Sequence, residues 1–431
     1  MNIKETISRY RFELTILLTA LAFRIAFLSL TAANYRSGAF FLMMTDSRTY
    51  LEVAKYILGT MAVGESELVL AGPGYGAFLA GFVAVFGENP WPILIVQILM
   101  SALSAVLIYR IAEILLERKI LSVSAGLIAA VSATSISLSI SILSDTLFFF
   151  LMVLSFWLYL KGLQAPKWSL FVWSGLALGI AVLVRSVGMF LPVMLVLMYY
   201  LFIRNSSDRR KALTKAIVAV LIPIVIAGAW SFRNYVRHEI FAVSDSGTVA
   251  MKHYLSARIL YEADKSQRLM DYRDDMIGEE AESMSPKERH EDALEVSRKV
   301  IGEHPGVFLK VYFKNIYENM TMQSTLVEIQ LKQFRGTYDW WTSHLTWNGK
   351  QPLIFVLTIV GFAILLISGY YRESSFLVVL FLYFAVLSGV TFWQGSRVFH
   401  PALLSWSIAL GAVVQLIWQK ITDRGETAES D

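Results

Sequence analysis

Two carboxylates and three arginines are the residues of this chain best placed to do chemistry. Asp46 stands in TDSRTY, where an apolar run gives way to an amphipathic one. Asp145 stands in SILSDTLFF, between two apolar runs. Arg185 falls in VLVRSVGMFLP with almost no polar loop around it. Arg233 lies in WSFRNYVRH, and Arg397 in FWQGSRVFH beside His400. An arginine recessed among apolar residues is costly unless it meets water or an anion. Its planar fork matches phosphate oxygens. A carboxylate beside a phosphate serves as a general base or as a ligand for a divalent cation. Each residue also has an ordinary role. An aspartate at a helix start caps free N–H groups, and a lone arginine reaches back to the interface. Their meeting on one side of a membrane favours the chemical role: transfer on a phosphorylated lipid.

The elements that must position them are membrane helices. The chain has 431 residues, 56% hydrophobic and 17% charged, where a soluble domain carries about 25% charged residues. Runs long enough to cross a bilayer fall at roughly 12–33, 91–112, 119–140, 144–160, 168–184, 187–203, 213–231, 351–369, 374–393 and 399–418. The first run is a span rather than a removable signal, because no small-residue cleavage site closes it. The apolar piece 75–87 is too short to cross and is expected to be re-entrant or interfacial. With it left out, the basic loops alternate cleanly. Arg9, Arg11, Arg110, Arg118, Lys119, Lys161, Lys167, Arg209, Lys215, Arg372 and Lys420 all fall on one side, which the positive-inside rule makes cytoplasmic. Both aspartates and all three arginines fall on the other side.

The domain plan is a transmembrane module at 1–231 that includes a first outer loop at 34–90. An extracytoplasmic domain follows at 232–350, then C-terminal membrane helices and a short cytoplasmic tail at 351–431. KERHEDALEVSRKVIGEHP has a helical apolar pattern that stops at His304-Pro305. The segment 306–320 is aromatic and suits the membrane surface or the domain core. In LAGPGYGAFLAG, Pro73 among glycines marks a bend expected to pack near Asp46. The stretch lacks the phosphate-loop pattern. There is no cysteine, hence no disulfide, and the histidines form no zinc spacing. The net charge of +4 is spread over short loops, so nucleic acid is not a partner. Asn319-Met320-Thr321 matches a glycosylation sequon, a common pattern.

In this order the residues resemble a family. They are similar to the GT-C class of membrane glycosyltransferases that use polyprenyl-phosphate sugars. Within it they resemble the bacterial group related to protein O-mannosyltransferases and the lipid A aminoarabinose transferase. Asp46 and Tyr50 match the acid and tyrosine of the first outer loop, and Pro73 matches the bend. Asp145 matches the second acidic position and Arg185 the arginine between closely joined spans. Trp230, Arg233, Asn234 and Tyr235 match the W-x-x-R-N-Y stretch. Ser47 stands where many members have a second acid, which leaves the first loop one carboxylate short.

The resemblance implies an all-α polytopic membrane protein, a GT-C bundle of about 10–13 membrane helices with a helical extracytoplasmic domain. It implies an inverting transfer from a polyprenyl-phosphate monosaccharide to a hydroxyl or phosphate of a lipid, glycan or protein acceptor. The site would face outside on a bacterial or archaeal cytoplasmic membrane. Asp46 would be the base. Asp145 would orient the acceptor or share a divalent cation, Mg or Mn, with Asp46. Arg185, Arg233 and Arg397 would hold the donor phosphate. Tyr50, Asn234, Tyr235, His400 and Pro73 would support them. The competing class is a transporter or flippase for a lipid-linked or anionic substrate, which also uses intramembrane charge and broken helices. Charge gathered at one face, with no repeated half in the sequence, favours the transferase.

Overall fold

The computed structural model describes residues 10–36, 45–61, 64–203, 209–278, 284–332 and 351–428, and all regular structure among them is helical. The first half holds α1 (Arg11–Arg36), α2 (Thr45–Ile57), α3 (Glu65–Ala71), α4 (Pro73–Phe86), α5 (Trp91–Leu116), α6 (Lys119–Ala130), α7 (Ala133–Ser139) and α8 (Ser144–Gln164). Then come α9 (Trp168–Val184), α10 (Leu191–Phe202) and α11 (Arg209–His238). A polar stretch contributes α12 (Ser246–Ala250), α13 (Ala257–Asp264), α14 (Leu269–Ile277), α15 (Pro286–Glu303), α16 (Pro305–Thr321) and α17 (Thr325–Lys332). The chain ends with α18 (Gln351–Ile367), α19 (Tyr371–Ser388), α20 (Ser396–Phe399) and α21 (Leu403–Ala428).

Among the described residues, six helical stretches are long and apolar enough to cross a membrane: Arg11–Thr31, Trp91–Leu116, Ser144–Gln164, Ala212–His238, Tyr371–Ser388 and Ser396–Asp423. Three other expected spans are shorter apolar helices, Trp168–Val184, Ser186–Phe202 and Pro352–Ile367. The 75–87 piece is a fourth, Pro73–Phe86. Short helices fit here because neighbours bury them. The Ser155 and Ser174 hydroxyls cross-bond α8 to α9 at 3.1 Å. A Cβ on Gly175 would lie 2.8 Å from the Ala219 carbonyl oxygen, so α9 meets α11 nearly backbone to backbone.

The expected span 119–140 is broken. α6 and α7 meet at a 50° bend, and Arg24 explains it. Its side chain is fully buried in α1. Nη1 donates to the carbonyls of Ala20 at 2.9 Å and Ala130 at 2.8 Å. Nε reaches Ser101 Oγ at 3.0 Å, and Nη2 reaches Ser135 Oγ at 3.1 Å. The Ala130 carbonyl at the break therefore has a charged donor, and Ser132 caps α7 from the Ser135 N–H at 3.4 Å. Removing one buried hydrogen-bonding partner costs roughly 1–3 kcal/mol, and four acceptors share this one. Arg24→Met should lower stability by about 3 kcal/mol and Arg24→Lys by nearly as much, since three donors on one atom cannot span the set. Thermal unfolding of the purified variants checks this. An unchanged midpoint would mean the bend stands without Arg24.

The basic ends of the spans meet at one end of the bundle. Arg110 pairs with Glu13, Arg118 Nε donates to Tyr370 Oη at 2.9 Å, Lys119 pairs with Glu113 at 2.6 Å, and Arg372 reaches the Leu201 carbonyl at 3.4 Å. At the opposite end lie α15 and α16. α15 begins with a Ser285–Glu288 capping box and Pro286 in its first turn, and the chain turns at His304-Pro305 as its sequence predicts. α16 is amphipathic in reverse. Asn315 and Asn319 are buried and donate to the carbonyls of Gly389 at 2.8 Å and Ser388 at 2.9 Å. Leu309, Phe313 and Tyr317 form an exposed stripe, the face a helix presents at a bilayer surface. Asn319 being buried and doubly bonded, the sequon is not an acceptor in the folded protein.

Candidate active site

Asp46 lies in the first turn of α2, and Asp145 in the first turn of α8. Both sit in the first helical turn, where the helix dipole favours anions, and both also do more. Arg397 Nη2 donates to Asp46 Oδ2 at 2.7 Å and stands 3.5 Å from Asp145 Oδ2. Arg185, at the C-terminal end of α9, pairs through Nη1 with Asp145 Oδ1 at 2.7 Å. Four charges from four parts of the chain thus form one line: Asp46, Arg397, Asp145, Arg185. The two aspartates differ in access. The Asp145 side chain is 4% exposed and the Asp46 side chain 46%.

Hydroxyls and aromatic rings hold the line. Tyr50 Oη and Ser144 Oγ are 2.8 Å apart, and Arg185 Nη1 donates to Ser144 Oγ at 3.3 Å. Ser47 donates to the Ile142 carbonyl at 2.9 Å, pinning α2 to the turn before α8. This hydroxyl is thus committed as a donor, which a carboxylate at the same position could not be. Thr134 and Ser396 hydroxyls lie 2.7 Å apart, tying α7 to the start of α20, next to Arg397. Through α7, the Arg24 contacts reach the same residues.

The Pro73 bend positions both halves. A Cβ on Gly74 would lie 2.4 Å from the Val184 nitrogen, and one on Gly76 2.2 Å from a Val53 methyl. No residue but glycine lets α4 sit this close to the chain just before Arg185 and to the face of α2 behind Asp46. Tyr75 meets Tyr50 edge to face at 4.8 Å, and its hydroxyl donates to Gln97 at 2.6 Å. His400 is buried with its ring 4.6 Å from Phe149, and neither ring nitrogen has a hydrogen-bond partner among the described residues.

Three anticipated residues lie elsewhere. Arg233 belongs to a second cluster, where it pairs with Glu65 and donates to Asn234 Oδ1 at 2.9 Å. Its ion-pair partner is thus neither aspartate. Asn234 is buried and bonds the Ala242 carbonyl at 2.8 Å, a structural task. Tyr235 points outward, 52% exposed.

A divalent ion does not fit as the residues stand. A guanidinium nitrogen occupies the place between Asp46 and Asp145 that a shared cation would need. No group of three or more His, Asp or Glu able to hold a metal occurs among the described residues.

Glu65, within the first outer loop at 34–90, was not anticipated. It accepts from Tyr56, Arg233 and, at 3.0 Å, His238, and so ties α3 to α2 and α11. Partial burial pushes its carboxyl up, but the Tyr56 and His238 hydrogen bonds and the charge of Arg233 outweigh it and hold the pKa down at about 2. A depressed carboxylate stabilises the fold fully above its unfolded value of 4.5 and loses that contribution as pH falls toward 2. The melting temperature should therefore fall between pH 4.5 and 2, and Glu65→Gln should flatten that fall. An identical pH profile in the variant would contradict the assignment.

Residues 71–230 match the family model for dolichyl-phosphate-mannose-protein mannosyltransferase. The matched stretch includes Pro73, Asp145 and Arg185 of the site. The architecture matches solved structures along nearly the whole chain. The archaeal oligosaccharyltransferase AglB from Archaeoglobus fulgidus, in complex with an inhibitory peptide and a dolichol-phosphate, aligns with a TM-score of 0.52 at 11% identity, over 99% of this chain and 52% of that one. The same organism's oligosaccharyltransferase tethered to an acceptor peptide gives 0.54 at 13% identity, over 96% and 50%. The chain has a GT-C glycosyltransferase fold. It spans about half the length of these GT-C structures. ArnT from Cupriavidus metallidurans bound to undecaprenyl phosphate aligns over 94% of this chain and 78% of its own, at 14% identity and a TM-score of 0.42, too low to bear on the fold. No curated protein matches the chain in sequence.

Proposed function

We propose that this multi-pass membrane protein is an inverting glycosyltransferase. It moves a sugar from a polyprenyl-phosphate monosaccharide to an acceptor hydroxyl at the outer face of the cytoplasmic membrane. The observation that carries the proposal is the Asp46–Arg397–Asp145–Arg185 line, with its accessible carboxylate at one end. The family match supports the donor class. The gathering of basic residues at the opposite end of the bundle supports the orientation.

In this mechanism Asp46 is the base. The acceptor oxygen attacks the anomeric carbon as its proton passes to the Asp46 carboxylate. The bond from that carbon to the phosphate oxygen breaks, and its electron pair leaves with the polyprenyl phosphate. One displacement inverts the configuration. Negative charge grows on the departing phosphate, and Arg397 and Arg185 are the fixed donors for it, a form of electrostatic stabilisation. Arg397 spans base and leaving group, which sets the distance between them. Asp145 is too covered to meet an acceptor. It is a positioning residue that keeps both guanidinium groups aimed, so its task is narrower than orienting the acceptor. Arg233 has no part in holding phosphate here. It fastens α11 to α3.

Proteoliposomes carrying the protein and a polyprenyl-phosphate sugar extract separate this reading from the transporter. Expected is acceptor-dependent cleavage to free polyprenyl phosphate. Movement of intact donor across the bilayer without cleavage would instead establish a flippase.

A further inference from the structure

Trp393 has no task in the site described above. Its backbone lies in the left-handed region, at φ 63°, which bulky residues seldom adopt and which marks strain held by surrounding structure. Several contacts hold it. The Trp393 carbonyl accepts from Thr325 Oγ1 at 2.5 Å, and the Ser396 N–H donates to the Met322 carbonyl at 3.0 Å. Gly395 lies so close to Gln323 that a Cβ would fall 2.1 Å from its carbonyl oxygen. The turn does not serve burial. Phe392 is covered, whereas Trp393 is 57% exposed.

The exposed ring borders a cleft of about 430 Å³. Leu269, Met270, Met322 and Phe392 supply its apolar walls. Its charges are already matched. Arg258 pairs with Glu318 at 2.6 Å and Arg268 with Asp271 at 2.8 Å. The remaining wall carboxylate, Asp274, is 66% exposed and has a distant partner in Arg273 at 3.5 Å. An anionic ligand finds no unpaired cation among these residues. The volume lies in the range of ligand sites, roughly 300–1,000 Å³, which pair apolar walls with a few polar groups. An aromatic face beside carboxylate acceptors suits one chemistry above others. A neutral sugar ring offers C–H bonds to the indole and hydroxyl donors to Asp274 and Asp271.

The cleft is joined to the reaction site by the chain itself, since 393–397 runs from the ring to the arginine that holds Asp46. We infer that this cleft binds a neutral saccharide portion of the acceptor. The acceptor role rests on the transferase reading above, whereas the binding does not.

The test uses full-length protein in lipid nanodiscs, fluorescently labelled, on an array of neutral and acidic microbial glycans with no donor present. Expected is retention of one or more neutral glycans, weakened by at least about tenfold in Trp393→Ala, the scale of losing an aromatic anchor. Asp274→Asn weakens it, and Trp393→Phe retains part of it. No neutral glycan bound, equal binding by Trp393→Ala, or a preference for acidic glycans would overturn the inference. Because binding is measured without turnover, failure of the transferase reading would leave this result intact. Loss of glycan binding would leave donor cleavage to be judged on its own.

Discussion

Asp46→Asn should lower sugar transfer by roughly 10²–10⁴-fold, the range of a positioned general base. The loss should fall on kcat and leave donor KM nearly unchanged, because asparagine keeps the size of the side chain and Arg397 stays in place. Stability should change little. The Asp46 side chain is 46% exposed, and exposed ion pairs contribute about 0–1 kcal/mol. Asp46→Glu should recover part of the activity, since it restores a carboxylate at a shifted distance. Steady-state kinetics alongside thermal unfolding checks both halves. Native-level transfer by Asp46→Asn would remove Asp46 from the chemistry and reduce it to a helix cap.

Arg397→Ala should have the larger combined effect, on activity and on the fold. Asp145 is nearly covered and would keep one of its two guanidinium neighbours. Breaking a buried pair by removing one partner costs about 3–5 kcal/mol, and the surviving Arg185 contact puts the expected loss near the lower end. Transfer should fall by about 10²–10³-fold or more, the cost of one lost donor at a developing charge. The double variant Arg397→Ala/Asp145→Asn separates the two effects. It removes the carboxylate that Arg397 compensated but takes from Arg185 its own partner, so it should regain only part of the stability and none of the activity. Should it regain activity instead, Arg397 would be a structural residue and the leaving phosphate would be held elsewhere.

Much of this was legible in the sequence, for a physical reason. A bilayer leaves few options for backbone hydrogen bonds, so apolar length alone locates most spans. Charged residues among apolar ones are costly, so Asp145, Arg185 and Arg397 stand out by type. What sequence could not supply was partnership. Arg397 and Asp46 are 351 residues apart, and nothing local shows that one guanidinium spans both aspartates. Arg233 carried the same surface signal as Arg185 and found a different carboxylate. The α6–α7 break was hidden because residues 119–140 are uninterrupted by proline. Its cause lies in another helix, though Arg24 in LAFRIAF was itself a visible signal, a cation in mid-span. Nothing in the sequence singled out Trp393, since a left-handed backbone at a tryptophan leaves no mark in composition.

The most direct test is to identify the lipid that the protein holds. Wild type and Asp46→Asn would be purified in native nanodiscs, incubated with polyprenyl-phosphate sugar extract and acceptor membranes, and their bound lipids identified by mass spectrometry. The mechanism predicts intact polyprenyl-phosphate sugar trapped on Asp46→Asn and free polyprenyl phosphate on wild type. No polyprenyl lipid on either protein, or the same intact donor on both, would contradict a transfer reaction run by Asp46.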